Sequence, residues 1–297
     1  MRRLQLHSSA VVSSAGSLWA RTSAPALAGL LCLIWALTFV VQRVGLEQSG
    51  PLWFAAARVT VGALVLAPLL WVAAPLRGRG VAVALVLGPL QIAAFTGLQV
   101  SGLATVGAGP AATIVYTQPL LVLLGAWVVL GEPLTRRRLA GALLGFAGVA
   151  VVGVRELTLS GAGVLLLLVA AVAWALGTIV TKAAAEHAVL ALVVWQHLVA
   201  APILVVVAAL AETPPAPTTT LAATVLFAGV LGSALAWYLF TVLLGRGDAG
   251  VVSTWLFSVP ILGAVLGVVL LGEPLGPALV VGVALVAAGV WLAAQEA

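Results

Sequence analysis

Charge is what this chain has least of: 7% of its 297 residues are Asp, Glu, Lys or Arg, against about 25% in soluble globular domains. That scarcity excludes an ordinary water-soluble fold. It also argues against nucleic acid as a partner, because the 13 basic and 8 acidic residues are scattered between apolar runs, with no basic face interleaved with aromatics. Cysteine is nearly absent. Cys32 is alone, which excludes an intramolecular disulfide and reads as a small buried side chain. The three histidines, His7, His187 and His197, lack metal-ligand spacing, so neither a metal nor a cofactor is expected. No Gly-x-x-x-x-Gly-Lys-Ser/Thr loop occurs, which excludes an ATP-driven pump in this chain alone. The alternative of an integral-membrane enzyme acting on a lipid or isoprenoid needs paired carboxylates, a His/Asp cluster or a nucleophile with its base at membrane depth. None is visible.

What the chain has instead is apolar length. Hydrophobic residues make up 63% of it and its mean hydropathy is +1.26, so the lipid bilayer must solvate most of the surface. Charged residues, Gly/Pro clusters and polar turns divide it into runs near 25–43, 51–74, 80–100, 107–130, 137–154, 161–181, 188–210, 219–244, 250–271 and 277–294. Each is about the length of a membrane-spanning helix. The runs are continuously apolar, as in Leu165–Leu168, which excludes the alternating strands of a membrane barrel. Residues 1–23 read as a cytoplasmic tail: Arg2 and Arg3 resemble a signal n-region, but the apolar content before Arg21 is too thin for a signal. With the N-terminus inside, Arg2, Arg3, Arg21, Arg77, Arg79, Arg136, Arg137, Arg138, Lys182 and Arg246 fall on the cytoplasmic side. Only Arg43 and Arg155 fall outside. That imbalance predicts a multi-pass protein of the cytoplasmic membrane with both termini inside.

The chain also repeats itself. Gly131-Glu132-Pro133-Leu134 returns as Gly272-Glu273-Pro274-Leu275, and the match extends from Pro119/Pro260 to Gly141/Gly148 and Gly282/Gly289. Trp35-Ala36-Leu37 returns as Trp174-Ala175-Leu176, and Arg58 aligns with Gln196. Two copies of a unit signal a transporter built from repeats. Five spans per copy is odd, so the second copy, 157–297, must lie inverted relative to the first, 24–156. The early tryptophans of helices one and six, Arg58 in helix two, the prolines of helices four and nine and the two Gly-Glu-Pro-Leu elements resemble the drug/metabolite transporter superfamily, specifically its EamA-type members. The resemblance covers about 25–294. It implies an all-α integral membrane fold of ten transmembrane helices in two inverted five-helix repeats. It also implies alternating access and small organic solutes, often exported.

Polar and aromatic side chains recur on helical faces and form the candidate substrate site. They are Trp35, Thr38 and Gln42 on helix one; Trp174 and Thr178 on helix six; and Trp237 with Tyr238 on helix eight. Tyr116 and Gln118 precede Pro119, and Trp255 and Ser258 precede Pro260; the two prolines would kink helices four and nine alike, either as hinges or as packing adaptations with no moving part. Gln196 and His197 lie within helix seven. Arg58 is the most telling charge, since an arginine at the helix centre costs about 2.5–3.5 kcal/mol to insert. It must reach carbonyls and polar side chains, snorkel outward toward Glu47, or face an aqueous cavity where it favours an anionic group of a solute. An aromatic, hydrogen-bonding cavity suits a small organic solute better than a metal ion. Gly-Glu-Pro-Leu reads as a helix end followed by a helix start, with an ion pair of Glu132 to Arg136–Arg138 as the functional variant. Gly141-xxx-Gly145 and Gly263-xxx-Gly267 allow close helix approach. Packing within one chain is the favoured use, and a homodimer stays open.

Overall fold

The computed structural model describes residues 23–71, 73–106, 111, 114–153, 161–184, 189–271 and 276–295. The tail before Ser23, Gly107–Pro110, Arg155 and the second Gly-Glu-Pro-Leu element, Gly272–Leu275, lie outside them. The described residues are all-helical and arrange as ten helices. These are α1 (Ala24–Leu46), α2 (Pro51–Trp71), α3 (Arg79–Leu87 through Gly88–Ala94 to Phe95–Val106), α4 (Gln118–Leu130) and α5 (Arg136–Gly153). The second half supplies α6 (Gly161–Ala183), α7 (Val189–Ala211), α8 (Thr219–Arg246), α9 (Ala249–Trp255 and Ser258–Leu271) and α10 (Pro277–Ala294). Six of them, α1, α2, α3, α6, α7 and α8, are each long and apolar enough to cross a membrane, and α4, α9 and α10 add shorter apolar segments. Large apolar side chains face outward all around, among them Leu64, Trp71, Val128 and Leu210. In water such a surface would aggregate; in lipid it is matched to its solvent.

Helix ends follow local chemistry. Pro51 and Pro277 occupy first turns, where a missing N–H leaves nothing unpaired. Thr218 caps α8 by accepting the N–H of Leu221 at 3.1 Å. Gly131 ends α4 in the left-handed region at φ 70, which a glycine adopts without steric penalty. Two boundaries differ from the sequence expectation. The α-helix of α2 stops at Leu66 and tightens into a 3₁₀ turn around Pro68, since proline cannot donate to the α ladder. Helix α3 runs on through Ser101-Gly102 to Val106. Gly102 is a close-approach position, not a break: a Cβ there would meet Leu167 of α6 at 2.6 Å.

Packing follows a two-fold pattern. Helix α3 lies on α6 as α8 lies on α1, and α2·α7, α4·α9 and α5·α10 pair across the halves. Lipid removes the hydrophobic drive between helices, so close van der Waals contact must hold them. The α5·α10 seam shows how. A Cβ on Gly141 would sit 2.7 Å from the Gly289 carbonyl, one on Gly148 2.8 Å from the Gly282 carbonyl, and one on Gly289 2.5 Å from the Gly141 carbonyl. The repeated glycines therefore face each other inside one chain. Gly263 differs from expectation: it has open space where a Cβ would be and takes no part in such a seam.

Some irregularities are paired as well, although the π-helical turn Ala126–Leu130 of α4 and the 3₁₀ turn of α2 have no counterpart among the described residues. Helices α3 and α8 each carry a π-helical stretch, Gly88–Ala94 and Ala228–Leu235, at equivalent places in the two halves. Such stretches insert an extra residue per turn and often mark functional sites. The chain breaks just before both prolines: ahead of α4 Thr117 bonds Ile114, and within α9 Leu256 bonds Ser253, each through a short i→i−3 link.

Candidate functional site

A cavity of about 40 Å³ lies between the halves. Its floor is aromatic. The symmetry-related Trp35 and Trp174 meet edge to face, with ring centres 5.2 Å apart and planes at 74°. Trp237 lies 4.8 Å and Phe95 4.5 Å from Trp174. Such contacts favour rigid, offset ring packing. The Trp35 indole N–H donates to the Gly232 carbonyl at 3.1 Å, a carbonyl in the π-helical stretch of α8. Only glycine fits there, because a Cβ on residue 232 would collide with Thr38.

Arg58 forms one wall, 7% exposed. Its Nη1 donates to Gln42 Oε1 at 3.1 Å and its Nε to Ser233 Oγ at 3.3 Å. Neither partner is charged, and among the described residues no carboxylate reaches the guanidinium. Arg58 therefore does not snorkel toward Glu47; α1 and α8 hold it inward. Hydrogen bonds to a charged group contribute about 1.5–3 kcal/mol each, enough to offset the insertion cost while leaving the cavity electropositive. Three further polar atoms of the lining have no protein partner: Gln42 Nε2, Trp174 Nε1 and Gln118 Oε1. The site thus offers two neutral donors and one acceptor around a fixed positive charge.

Eight of the residues singled out in the sequence line this cavity: Trp35, Thr38, Gln42, Arg58, Tyr116, Gln118, Trp174 and Trp237. The others lie elsewhere. Thr178 accepts from Gln91 Nε2 at 3.4 Å, beside the Thr181-to-Gln91 bond of 2.9 Å, in a polar cluster between α3 and α6. His197 is fully buried behind the wall, 6.3 Å from the Trp237 ring. Its Nδ1 lies 2.8 Å from the Val193 carbonyl; a carbonyl only accepts, so that nitrogen carries the proton. Gln196 is buried beside it on α7. Tyr238 is part-buried on α8, Trp255 offers its carbonyl to the Cys32 thiol at 3.4 Å, and Ser258 opens the second segment of α9. Sequence reasoning missed Phe39, Phe95, Thr96, Gln99 and Val115. A signal existed for α3: Gln91, Phe95 and Gln99 recur at i, i+4, i+8 in an otherwise apolar run.

The two ends of the molecule are tied across the halves. Glu132 does not pair with Arg136–Arg138. Its carboxylate accepts the N–H groups of Ala249 at 2.8 Å and Gly250 at 3.1 Å, the first residues of α9. Arg138 pairs instead with Asp248 at 2.6 Å and donates to the Pro133 carbonyl at 3.1 Å. At the other end, Glu212, just past α7, accepts the N–H groups of Leu52 at 3.0 Å and Trp53 at 3.1 Å, the start of α2. Gln42 lies one turn from the end of α1 and Arg58 two turns into α2, so the cavity sits toward the Glu212 end. About 18 Å of helix α4 separates Gln118 from the Glu132 end.

Comparison with known proteins agrees with this architecture. The EamA-like transporter family matches residues 22–154 and again 161–295. The chain is 33% identical over 282 residues to an uncharacterized transporter, YvbV, of Bacillus subtilis, covering 92% of each chain. It is 31% identical over 286 residues to a probable amino-acid metabolite efflux pump of Salmonella typhimurium, covering 90% of this chain and 93% of that one. A solved crystal structure superposes with a TM-score of 0.81 over 93% of this chain and 100% of the other, at 23% identity, which shows a shared fold. The chain belongs to the EamA-like transporter family. It is a multi-pass membrane transporter, and the enzyme alternative is set aside.

Proposed function

We propose that this member of the EamA-like transporter family is a secondary carrier that exports a small organic metabolite, an amino acid or a derivative of one, by alternating access. The observation that carries the reading is Arg58: a buried cation held only by neutral groups, beside unpaired donors and an aromatic floor. A solute carboxylate would meet Arg58 and Gln42, its donor group would meet Gln118 Oε1, and its apolar part would lie against Trp35, Trp174 and Trp237. An ammonium group would also be drawn to the ring faces. The name of the Salmonella relative accords with this solute class.

The excess of basic residues at the Glu132 end supports a cytoplasmic location for both termini, with the cavity then nearer the outside. The cavity measures only about 40 Å³. That is room for a few waters, whereas organic ligands occupy pockets of roughly 300–1,000 Å³. The halves must therefore rock apart to admit a solute. The matched breaks before Pro119 and Pro260 supply a hinge in each repeat, 24–156 and 157–297. Counterflow of labelled amino acids into liposomes holding purified protein, with and without a pH gradient, tests the reading. Arg58→Gln should abolish counterflow while the protein stays monodisperse; unchanged counterflow would remove Arg58 from the site.

A further inference from the structure

We infer that Glu132, Arg138 and Asp248 form the gate that shuts the Arg-rich end of the carrier and must part for the cavity to open there. Asp248 stands at the N-cap of α9 with extended backbone, φ −63 and ψ 137, yet makes no capping bond to its own helix. An aspartate in that position ordinarily accepts an N–H of the first turn. Here its carboxylate is given to Arg138 of the first half, and Glu132, also of the first half, caps α9 in its place. The two leading N–H groups of α9 and the Asp248 carboxylate are thus all bound by the opposite half. A helix turn serving structure alone needs only the local cap.

Mechanically, the held segment is suited to move. Ala249–Trp255 lies between Gly247 on one side and the Leu256–Phe257 break on the other. It is stiff between two bends. Against it packs α4, where a Cβ on Gly250 would meet Leu123 at 2.6 Å, and the equivalent break, Tyr116–Thr117, lies just ahead of α4. Parting Glu132 from α9 and Arg138 from Asp248 would let both segments swing about these breaks and uncover the floor from below. Lys182 closes the neighbouring gap by donating to the Leu244 and Gly247 carbonyls at 2.8 and 2.7 Å. Those contacts stay within the second half, so they can persist while the gate opens.

The purpose assigned to the gate rests on the carrier reading, but its test needs no solute, so either can fail without the other. Ser253 lies one turn inside the gate, fully buried, with no partner for its hydroxyl. In Cys32→Ser protein in nanodiscs, where both faces are accessible, Ser253→Cys reports gate opening by its rate of reaction with a hydrophilic methanethiosulfonate. Glu132→Ala and Arg138→Met should each raise that rate about fivefold or more. Unchanged rates in both folded variants overturn the proposal. Should a variant fail to give monodisperse protein, hydrogen–deuterium exchange decides. Bridging Arg138→Cys to Asp248→Cys with a short bis-thiosulfonate should slow exchange over residues 249–256 below that of the Cys32→Ser parent. Equal exchange would mean that the contact never opens, and the gate would be refuted.

Discussion

The first turns of α2 and α9 are built alike, each with its two leading N–H groups bound to a carboxylate from the opposite half, Glu212 for α2 and Glu132 for α9. Past that first turn the two helices diverge. Helix α2 runs unbroken to Leu66 and packs along α7, the helix that leads into Glu212. Helix α9 breaks after Trp255. The Trp53 indole N–H adds a further bond to the Glu212 carbonyl at 3.1 Å, whereas the Glu132 end is held by groups on loops and helix starts. The same chemistry therefore makes a fixed joint in one place and a movable one in the other. A hydrogen bond does not reveal whether it is a gate; the stiffness of the elements it joins does.

Mutations can separate the two joints. Glu132→Ala should act on function: losing a cap of about 1–2 kcal/mol displaces the open–closed balance about five- to thirty-fold. Counterflow should fall by about tenfold with only a small change in the thermal midpoint. Glu212→Ala should do the reverse, lowering stability by about 1–3 kcal/mol in detergent melts while counterflow per folded molecule stays near wild type. Equal splits between flux and stability in the two variants would erase the distinction. Smallest of all, Trp53→Phe removes one neutral hydrogen bond of about 1 kcal/mol. It should shift the melt slightly and leave flux alone; a loss of flux would make the Glu212 end a moving part too.

Much of this architecture could be read from residue order. The spans beginning at Gly161 and Thr219, the duplication, and the paired prolines Pro119 and Pro260 all follow from hydropathy and spacing. Such features are local or repeated, and a single chain displays them. Arg58 stood out because an embedded cation is costly wherever it points. Its partners Gln42 and Ser233 come from α1 and α8, and nothing in the local sequence joins them. Glu132 misled for the same reason: three arginines lie within six positions of it, but its hydrogen bonds reach residues 249 and 250. The π-helical stretches were also illegible, since a shift of one residue in the bonding ladder leaves no compositional trace. Gly232 and Gly88 look like two glycines among 32 until Thr38 and Val199 are seen against them.

The contact of Trp35 with Trp174 has a practical consequence. Two indoles with centres 5.2 Å apart and planes near perpendicular, one from each half, lie close enough for their electronic transitions to mix. Any rocking of the halves changes their separation and angle. The near-ultraviolet circular dichroism of the unlabelled protein should therefore report such rocking directly, as an optical strain gauge set between the halves.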